Sequence, residues 1–355
     1  MKIRLAILDR DQVYLRRLES VFNVKYADKL ETFIFTDREY ALGSLREKKI
    51  DVFLADETFD VEMTQLPSNC GFAYLVDTAD IEKVKDAAAV CKFQKAETIY
   101  RQILGMFSEK TAAVVGAHMK GEGAKTLAFV SAAGGTGSSV AAAACAMHFA
   151  QKGKKALYLN LEKFGSADVF FQAEGNTCLS DVIRAVKSRT GNLAMKLEST
   201  VKQDLTGVFL YSSARLALDI AELSAGETQQ IVSVLKQSGG YDYIVLDLDF
   251  SLETGMLKLL EECDTIIFVA DGSAASNVKL ERVVTSMNVM EQDQKIDKKL
   301  LMRCGILYNR FSSQTSHKAS VGEFKEFGGI NRFEGFDTGR LLQQLKAQPV
   351  FDMFE

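Results

Sequence analysis

The sequence predicts an α/β protein of two domains, one over residues 1–110 and a larger one over 111–355. Short apolar runs alternate with amphipathic segments along the chain, the pattern of parallel strands joined by crossover helices. The alternation lapses in "SEKTAAVVGAHMKGEGAK" (108–125) and then resumes on a larger scale. Finally, "TLAFVSAAGGTGSSVAAAACAMHFA", beginning at Thr126, reads as a buried strand, a Gly-rich turn and a small-residue helix. A helix amino terminus after such a turn is where backbone N–H groups collect a phosphate.

In the first domain, "IRLAIL", "ETFIF", "IDVFLAD", "GFAYLV" and "AVCKFQK" are strand signals. Helices are expected from "QVYLRRLESVF", "YALGSLREKK", "IEKVKDAAA" and "ETIYRQILGMF". Five strands alternating with helices make a small flavodoxin-like doubly wound sheet with its working edge at the strands' carboxyl ends.

In the second domain, strands are expected from "TLAFVSA", "KALYLNLE", "GVFLYS", "YDYIVLDLD", "TIIFVAD" and "CGILYNRF". Helices are expected from "LSDVIRAVKS", "TQQIVSVLKQ" and "NVKLERVVTSMNVM". The strand runs are nearly all apolar, as for strands covered on both faces. "GEGAKT" half resembles a phosphate loop, but Lys125 precedes the strand and no helix terminus follows it, so it is assigned no function.

Composition narrows the function classes. With 355 residues, 47% hydrophobic and 25% charged, the chain can fill two cores. A net charge of −4 supplies no general field for polyanions, so strong nucleic-acid binding is not expected. The basic cluster Lys295, Lys298, Lys299 and Arg303 is mixed with acids and reads as a solvated face. Six cysteines without CxxC spacing and three histidines point to reduced thiols and against a zinc site. The opening "MKIRLAILDRD" lacks signal-peptide anatomy, no apolar run has the length of a membrane span, and the ending "QPVFDMFE" is no basic amphipathic anchor. A cytoplasmic protein without direct membrane insertion is expected.

The first domain resembles the receiver domains of response regulators. That resemblance matches Asp9, Arg10 and Asp11 to the acidic pair that holds Mg2+, Asp56 to the phosphate acceptor, Thr78 to the Ser/Thr after the fourth strand, and Lys95 to the lysine after the fifth. Arg10 stands where a metal-binding carboxylate is expected and would repel the cation. Ala96 follows Lys95 where proline is usual. The reading is a receiver-like fold used for contacts, with Asp56 as a solvated loop carboxylate.

"AAGGTGSSV" resembles the deviant Walker A loop of the ParA/MinD ATPases, a P-loop α/β fold. Gly134, Gly135, Thr136 and Gly137 are kept, whereas Ala132 replaces the first glycine, Ala133 the signature lysine and Ser138 the phosphate-binding lysine. Ser139 retains the hydroxyl that ligates Mg2+. The resemblance places Asn160 and Glu162 at the acidic pair after the second strand, with Glu162 orienting the attacking water and Lys163 beside it. Asp247, followed by Asp249, ends the Walker B strand and would hold the metal through water. Asn309 and Arg310 fall at the adenine site, and Asp337 in the adenine-side loop.

A receiver-like front end fused to a ParA/MinD-like domain with degraded loops resembles the TadZ/CpaE proteins of Tad (Flp) pilus assembly. The resemblance implies ATP and Mg2+ as cofactors, a homodimer, slow or absent ATP hydrolysis, and pilus or secretion machinery as partners. It also implies a localisation scaffold marking a cellular position such as a pole, on the cytoplasmic side of the inner membrane. The alternatives are a phosphorylation-regulated response regulator with a ParA-like output, or an ATPase that positions DNA or membrane.

Overall fold

A computed structural model describes residues 2–110, 123–189, 192–322 and 324–355. Most of the joining segment 108–125, with His118, lies outside the described residues. The chain divides into two units, and the division returns residues 188–200 to the first.

The first unit is built on strands β1 (Ile3–Leu8), β2 (Leu30–Phe35), β3 (Val52–Asp56), β4 (Gly71–Val76), β5 (Lys83–Val84) and β6 (Ala87–Cys91), in the order β2-β1-β3-β4-β6-β5. All pair in parallel except β5 with β6. The buried β3 and β4, with no exposed position in either, account for their unbroken apolar runs. Helix α1 (Gln12–Lys25) starts at Asp11, whose carboxylate accepts from the Val13 and Tyr14 N–H groups. Helix α2 (Arg38–Glu47) is capped in the same way by Asp37.

One expected helix is absent. "IEKVKDAAA" instead forms the β5–β6 hairpin, whose two turn residues Lys85 and Asp86 both have positive φ, 48° and 66°. Two consecutive left-handed residues make the tight turn whose twist matches a hairpin. Alanine-rich composition concealed this, because Ala is a strong helix former and a weak strand former.

Helix Leu193–Thr200, which the sequence reading places in the second domain, belongs to the first unit. Its Met195 packs against the apolar cluster formed by α1, the sheet and helix α3 (Ala96–Lys110). Glu198 accepts from Lys29 Nζ at 2.5 Å, and the Tyr26 and Tyr100 rings stack at 3.9 Å beside it.

The second unit has strands β7 (Lys125–Val130), β8 (Ala156–Asn160), β9 (Lys202–Gln203), β10 (Phe209–Leu210), β11 (Tyr243–Asp247), β12 (Thr265–Ala270), β13 (Cys304–Phe311) and β14 (Lys325–Asn331). Their order is β14-β13-β12-β7-β11-β8-β10-β9. Register sets Asp247 opposite both Phe129 and Asn160, so the three strand ends reach one edge together. Helix α4 (Ser138–Gln151) lies against β7, β8 and β11, with Ala141 to Phe149 continuously buried. The run of alanines lets its backbone approach the sheet, and Phe149 stacks on Tyr243 at 3.8 Å.

The terminal segment Pro349–Phe354 is folded into this core through Phe351 and Phe354. His148 fixes it by bonding the Lys346 carbonyl (2.8 Å) and the Asp352 carboxylate (2.9 Å). Strand β14, "KEFGGIN", went unread because it lies at the sheet edge with a mostly exposed, Gly-interrupted sequence.

Gly305 shows how closely β13 and β14 run. A Cβ there would stand 2.4 Å from the Phe327 ring and 2.6 Å from the Lys325 carbonyl oxygen. Because one obstacle is backbone, Gly305→Ala is expected to cost about 1–3 kcal/mol by overpacking. Urea denaturation checks this, and an unchanged midpoint would show that the strands can separate freely.

Candidate functional site

Two clusters of carboxylates lie at the strand carboxyl ends, one in each unit, and they are neutralised in different ways. In the first unit, Asp9 (3% exposed) follows β1 and Asp56 (6%) ends β3. Between them the chain sends Lys92, immediately after β6. Its Nζ pairs with Asp9 Oδ2 at 2.9 Å, with Asp56 Oδ2, and more distantly with Asp77 at 3.5 Å. Thr58 adds its backbone N–H (3.0 Å) and its hydroxyl to Asp56 Oδ1. Burial works to raise the Asp56 pKa, but the Lys92 and Thr58 hydrogen bonds outweigh it and hold the carboxyl below its ordinary range. For Lys92, burial works to lower the pKa, and the two aspartates raise it above the ordinary lysine value.

This corrects three readings. Asp56 is a buried ion-paired carboxylate rather than a solvated one. Lys92, not Lys95, is the lysine that reaches it; Lys95 is exposed just before α3. Thr78 is exposed, and Thr58 supplies the hydroxyl. Strand β6 ends earlier than the apolar run suggested, which moves the functional position three residues back. Arg10 lies over the Phe59 ring at 5.2 Å, while Asp11 is spent as the α1 cap.

Removing the Lys92 ammonium leaves two buried carboxylates facing each other. Lys92→Met is expected to lose about 3 kcal/mol of stability at pH 7, with the deficit shrinking as the acids protonate toward pH 4. Equal losses at both pH values would show that the charge is not what matters.

In the second unit, the Gly-rich turn follows β7. Ser131 staples it: the hydroxyl accepts from the Ala133 N–H (3.2 Å) and from Thr136 Oγ1 (2.9 Å), and lies 2.8 Å from the Val269 carbonyl oxygen. Gly134 and Gly135 are exposed, and Gly135 has φ +80°. Gly137, at φ +81°, is the residue before α4, and a Cβ on it would stand 2.5 Å from Asn309 Nδ2. Left-handed backbone and close approach both demand glycine there. Asn309, buried at the end of β13, donates Nδ2 to the Thr136 carbonyl at 2.8 Å. Arg310 Nη1 donates to the Gly135 carbonyl at 3.0 Å. Asn309 and Arg310 thus hold the turn from one side while bordering a cavity of about 710 Å³, also lined by Val140, Phe333, Phe336 and Leu341.

Beside the turn, Asp247 is fully buried at the end of β11. Its Oδ2 accepts from Tyr158 Oη (2.7 Å) and Asn160 Nδ2 (2.8 Å). Asn160 also contacts Glu162 (2.9 Å), and Ser139 Oγ donates to Glu162 at 3.1 Å. Burial, and then the Glu162 charge, raise the Asp247 pKa to about 8 against the opposing pull of the Tyr158 and Ser139 hydroxyls. Among the described residues, Asp247 Oδ1 and Ser138 Oγ at this site are buried without a hydrogen-bond partner.

Ser138, Ser139, Glu162 and Asp247 are therefore brought to the turn. Asp337 lies in the loop next to the cavity-lining Phe336 and caps helix Thr338–Leu345, accepting from the Arg340 N–H at 2.8 Å. Lys163 is exposed, and its backbone N–H bonds Asp249 at 2.8 Å. Tyr158 and Ser131 were missed; Tyr158 sits two residues before Asn160 on the same strand face, so strand parity could have found it.

The basic cluster of 295–303 is partly consumed internally. Arg303 donates to the Glu261 and Cys263 carbonyls at 2.9 and 2.6 Å, and Lys295 pairs with Asp293 at 2.9 Å. All six cysteines are free thiols, and burial pushes Cys70, Cys263 and Cys304 up to about 12. Among the described residues, no group of three or more His, Cys, Asp or Glu is placed to hold a metal by itself, and no helix is long and apolar enough to cross a membrane.

The sheet orders and the stapled turn define a receiver-type domain joined to a P-loop α/β domain. Residues 1–108 match the family model for the TadZ-like receiver domain. Among solved structures, the chain is similar to a ParA family ATPase from Chlorobium tepidum, with 19% identity over 66% of this chain and 97% of that one and a TM-score of 0.52. It is also similar to the MinC:MinD cell division complex of Aquifex aeolicus, with 18% identity over 65% and 94% and a TM-score of 0.50. No curated protein matches. The chain thus joins a TadZ-like receiver domain to a domain of ParA/MinD fold, as a TadZ/CpaE-like fusion does.

The raised Asp247 pKa has a consequence for stability. Between its ordinary value of 3.8 and about 8 the folded chain holds a proton that the unfolded chain has released. The contribution is complete below pH 3.8, declines as pH rises, and is gone above about pH 8. Without added metal, Asp247→Asn is expected to remove this decline, gaining on the parent by up to about 1.4 kcal/mol per pH unit. Denaturation at pH 5, 6.5 and 8 measures it, and parallel pH curves would contradict it.

Proposed function

We propose that the second domain binds Mg-ATP, pairs with a second copy, and hydrolyses slowly or not at all. The observation that carries this is the pair of orphaned polar atoms, Ser138 Oγ and Asp247 Oδ1, on either side of a glycine turn. An unpartnered buried hydroxyl and carboxylate oxygen are costly in an isolated fold, and a phosphate with its hydrated cation would satisfy both. The residues fit such a group. Gly134 to Ser139 would hold phosphate through backbone N–H groups and the α4 terminus. Ser139 would ligate Mg2+ and Asp247 would hold it through water. The ion supplies neutralising charge when bound. Glu162 is the residue that can orient water, but in this structure it accepts from Ser139, and Ala133 and Ser138 stand at both lysine positions of the loop. Asn309 would face the base in the cavity while bracing the turn.

With hydrolysis weak, nucleotide serves as a ligand that favours one assembled state. In that state the protein acts as a scaffold marking a cellular position, at a pole, and recruits pilus assembly machinery. The TadZ-like receiver domain supports this reading. Lys92 already occupies the space between Asp9 and Asp56, which favours the receiver domain as a contact module over a phosphorylation switch.

Mg-ATP at tenfold its dissociation constant is expected to stabilise the protein by about 1.4 kcal/mol, a rise of about 3–5 °C in Tm for a domain of this size. Ser139→Ala is expected to abolish the Mg2+-dependent part of that rise. No shift at millimolar nucleotide would remove the binding claim. A fluorescently tagged copy that stays diffuse whether or not the pilus genes are expressed would remove the scaffold claim.

A further inference from the structure

We infer that the site grips an adenine nucleotide by its inner phosphates through Arg310, so that ADP binds as tightly as ATP; this rests on the nucleotide reading of the same turn. Arg310 lines the cavity and also bonds the Gly135 carbonyl, so it stands where cavity and turn meet. Its backbone is left-handed, φ +55°, within a register irregularity between Tyr308 and Phe311. A non-glycine residue held in that region is costly and is kept where it aims a side chain. The other charges lining the cavity are already engaged. Arg332 pairs with Glu334 at 3.3 Å, and Asp271 accepts from the Ser273 N–H (3.0 Å) and hydroxyl (2.7 Å). No carboxylate pairs with Arg310 among the described residues, and one of its five N–H groups is used on Gly135.

The opposite end of the turn carries the reverse charge. Glu162 and Asp249 carry it beside the buried Asp247, and Ala133 and Ser138 bring no cation. With a base in the cavity and phosphates on the turn, the α- and β-phosphates pass Arg310 and the γ-phosphate falls beside Glu162. A bidentate guanidinium suits the first pair. The terminal phosphate meets a carboxylate, and only its Mg2+ offsets the repulsion. The protein therefore senses whether adenine nucleotide is present and ignores how many phosphates it carries.

Isothermal titration of the full chain with ATP, ADP and adenosine, each with Mg2+, tests this. ATP and ADP are expected within threefold of each other. Arg310→Gln loses the charge together with the Nη1 bond to the Gly135 carbonyl; it is expected to weaken ATP and ADP alike by about 10- to 100-fold and adenosine, which carries no phosphate, by less than threefold. Arg310→Lys is expected to recover part of the loss, and raising salt to narrow the gap between parent and Gln variant. ATP binding tenfold or more tighter than ADP, or an Arg310→Gln variant with parental affinity, overturns the inference while leaving the nucleotide reading intact. A parent that binds none of the three overturns the nucleotide reading itself.

Discussion

A carboxyl group shut off from water at the end of a central strand governs much of the second domain. Asp247 is carried there by the register of β11 between β7 and β8, and the neighbouring side chains are arranged to make its burial tolerable. Tyr158 and Asn160 give hydrogen bonds to one of its oxygens, and Glu162 is tied back by Asn160 and Ser139. A polar group buried this deeply persists only when its bonding is nearly complete. Here completion stops one oxygen short, and the gap lies beside a helix terminus.

The first domain meets the same problem with an internal cation. Asp9 and Asp56 are also buried, yet Lys92 spans them and Thr58 donates twice to Asp56 Oδ1. One unit closes its acidic cluster with its own ammonium; in the other, Asp247 Oδ1 and Ser138 Oγ have no partner among the described residues. The two edges thus differ in chemistry although both belong to mainly parallel sheets with acids at the carboxyl ends, a difference that fold alone would not have revealed.

Most of the architecture was legible because buried parallel strands must be apolar and their helices amphipathic. The turn and Asp247 were legible for a related reason: glycine and a terminal carboxylate are placed there by backbone geometry, which sequence spacing reports directly. What escaped depended on side-chain direction or on where a strand stops. Lys92 was passed over for Lys95 because three residues of strand ending cannot be read from "AVCKFQK". Thr58, two residues beyond Asp56, reaches back through a local turn that composition does not announce. The β5–β6 hairpin hid within alanines.

Residues 188–200 belong to the first unit although the chain has already entered the second, so the polypeptide changes units three times rather than once. A fragment ending at residue 110 would lack helix Leu193–Thr200, leave Lys29 without Glu198, and open to solvent the apolar side that Met195 covers. The receiver-type unit is therefore a discontinuous domain: its final piece is delivered only after α4, β8 and the Gly-rich turn have been synthesised, so no single stretch of the chain encodes it.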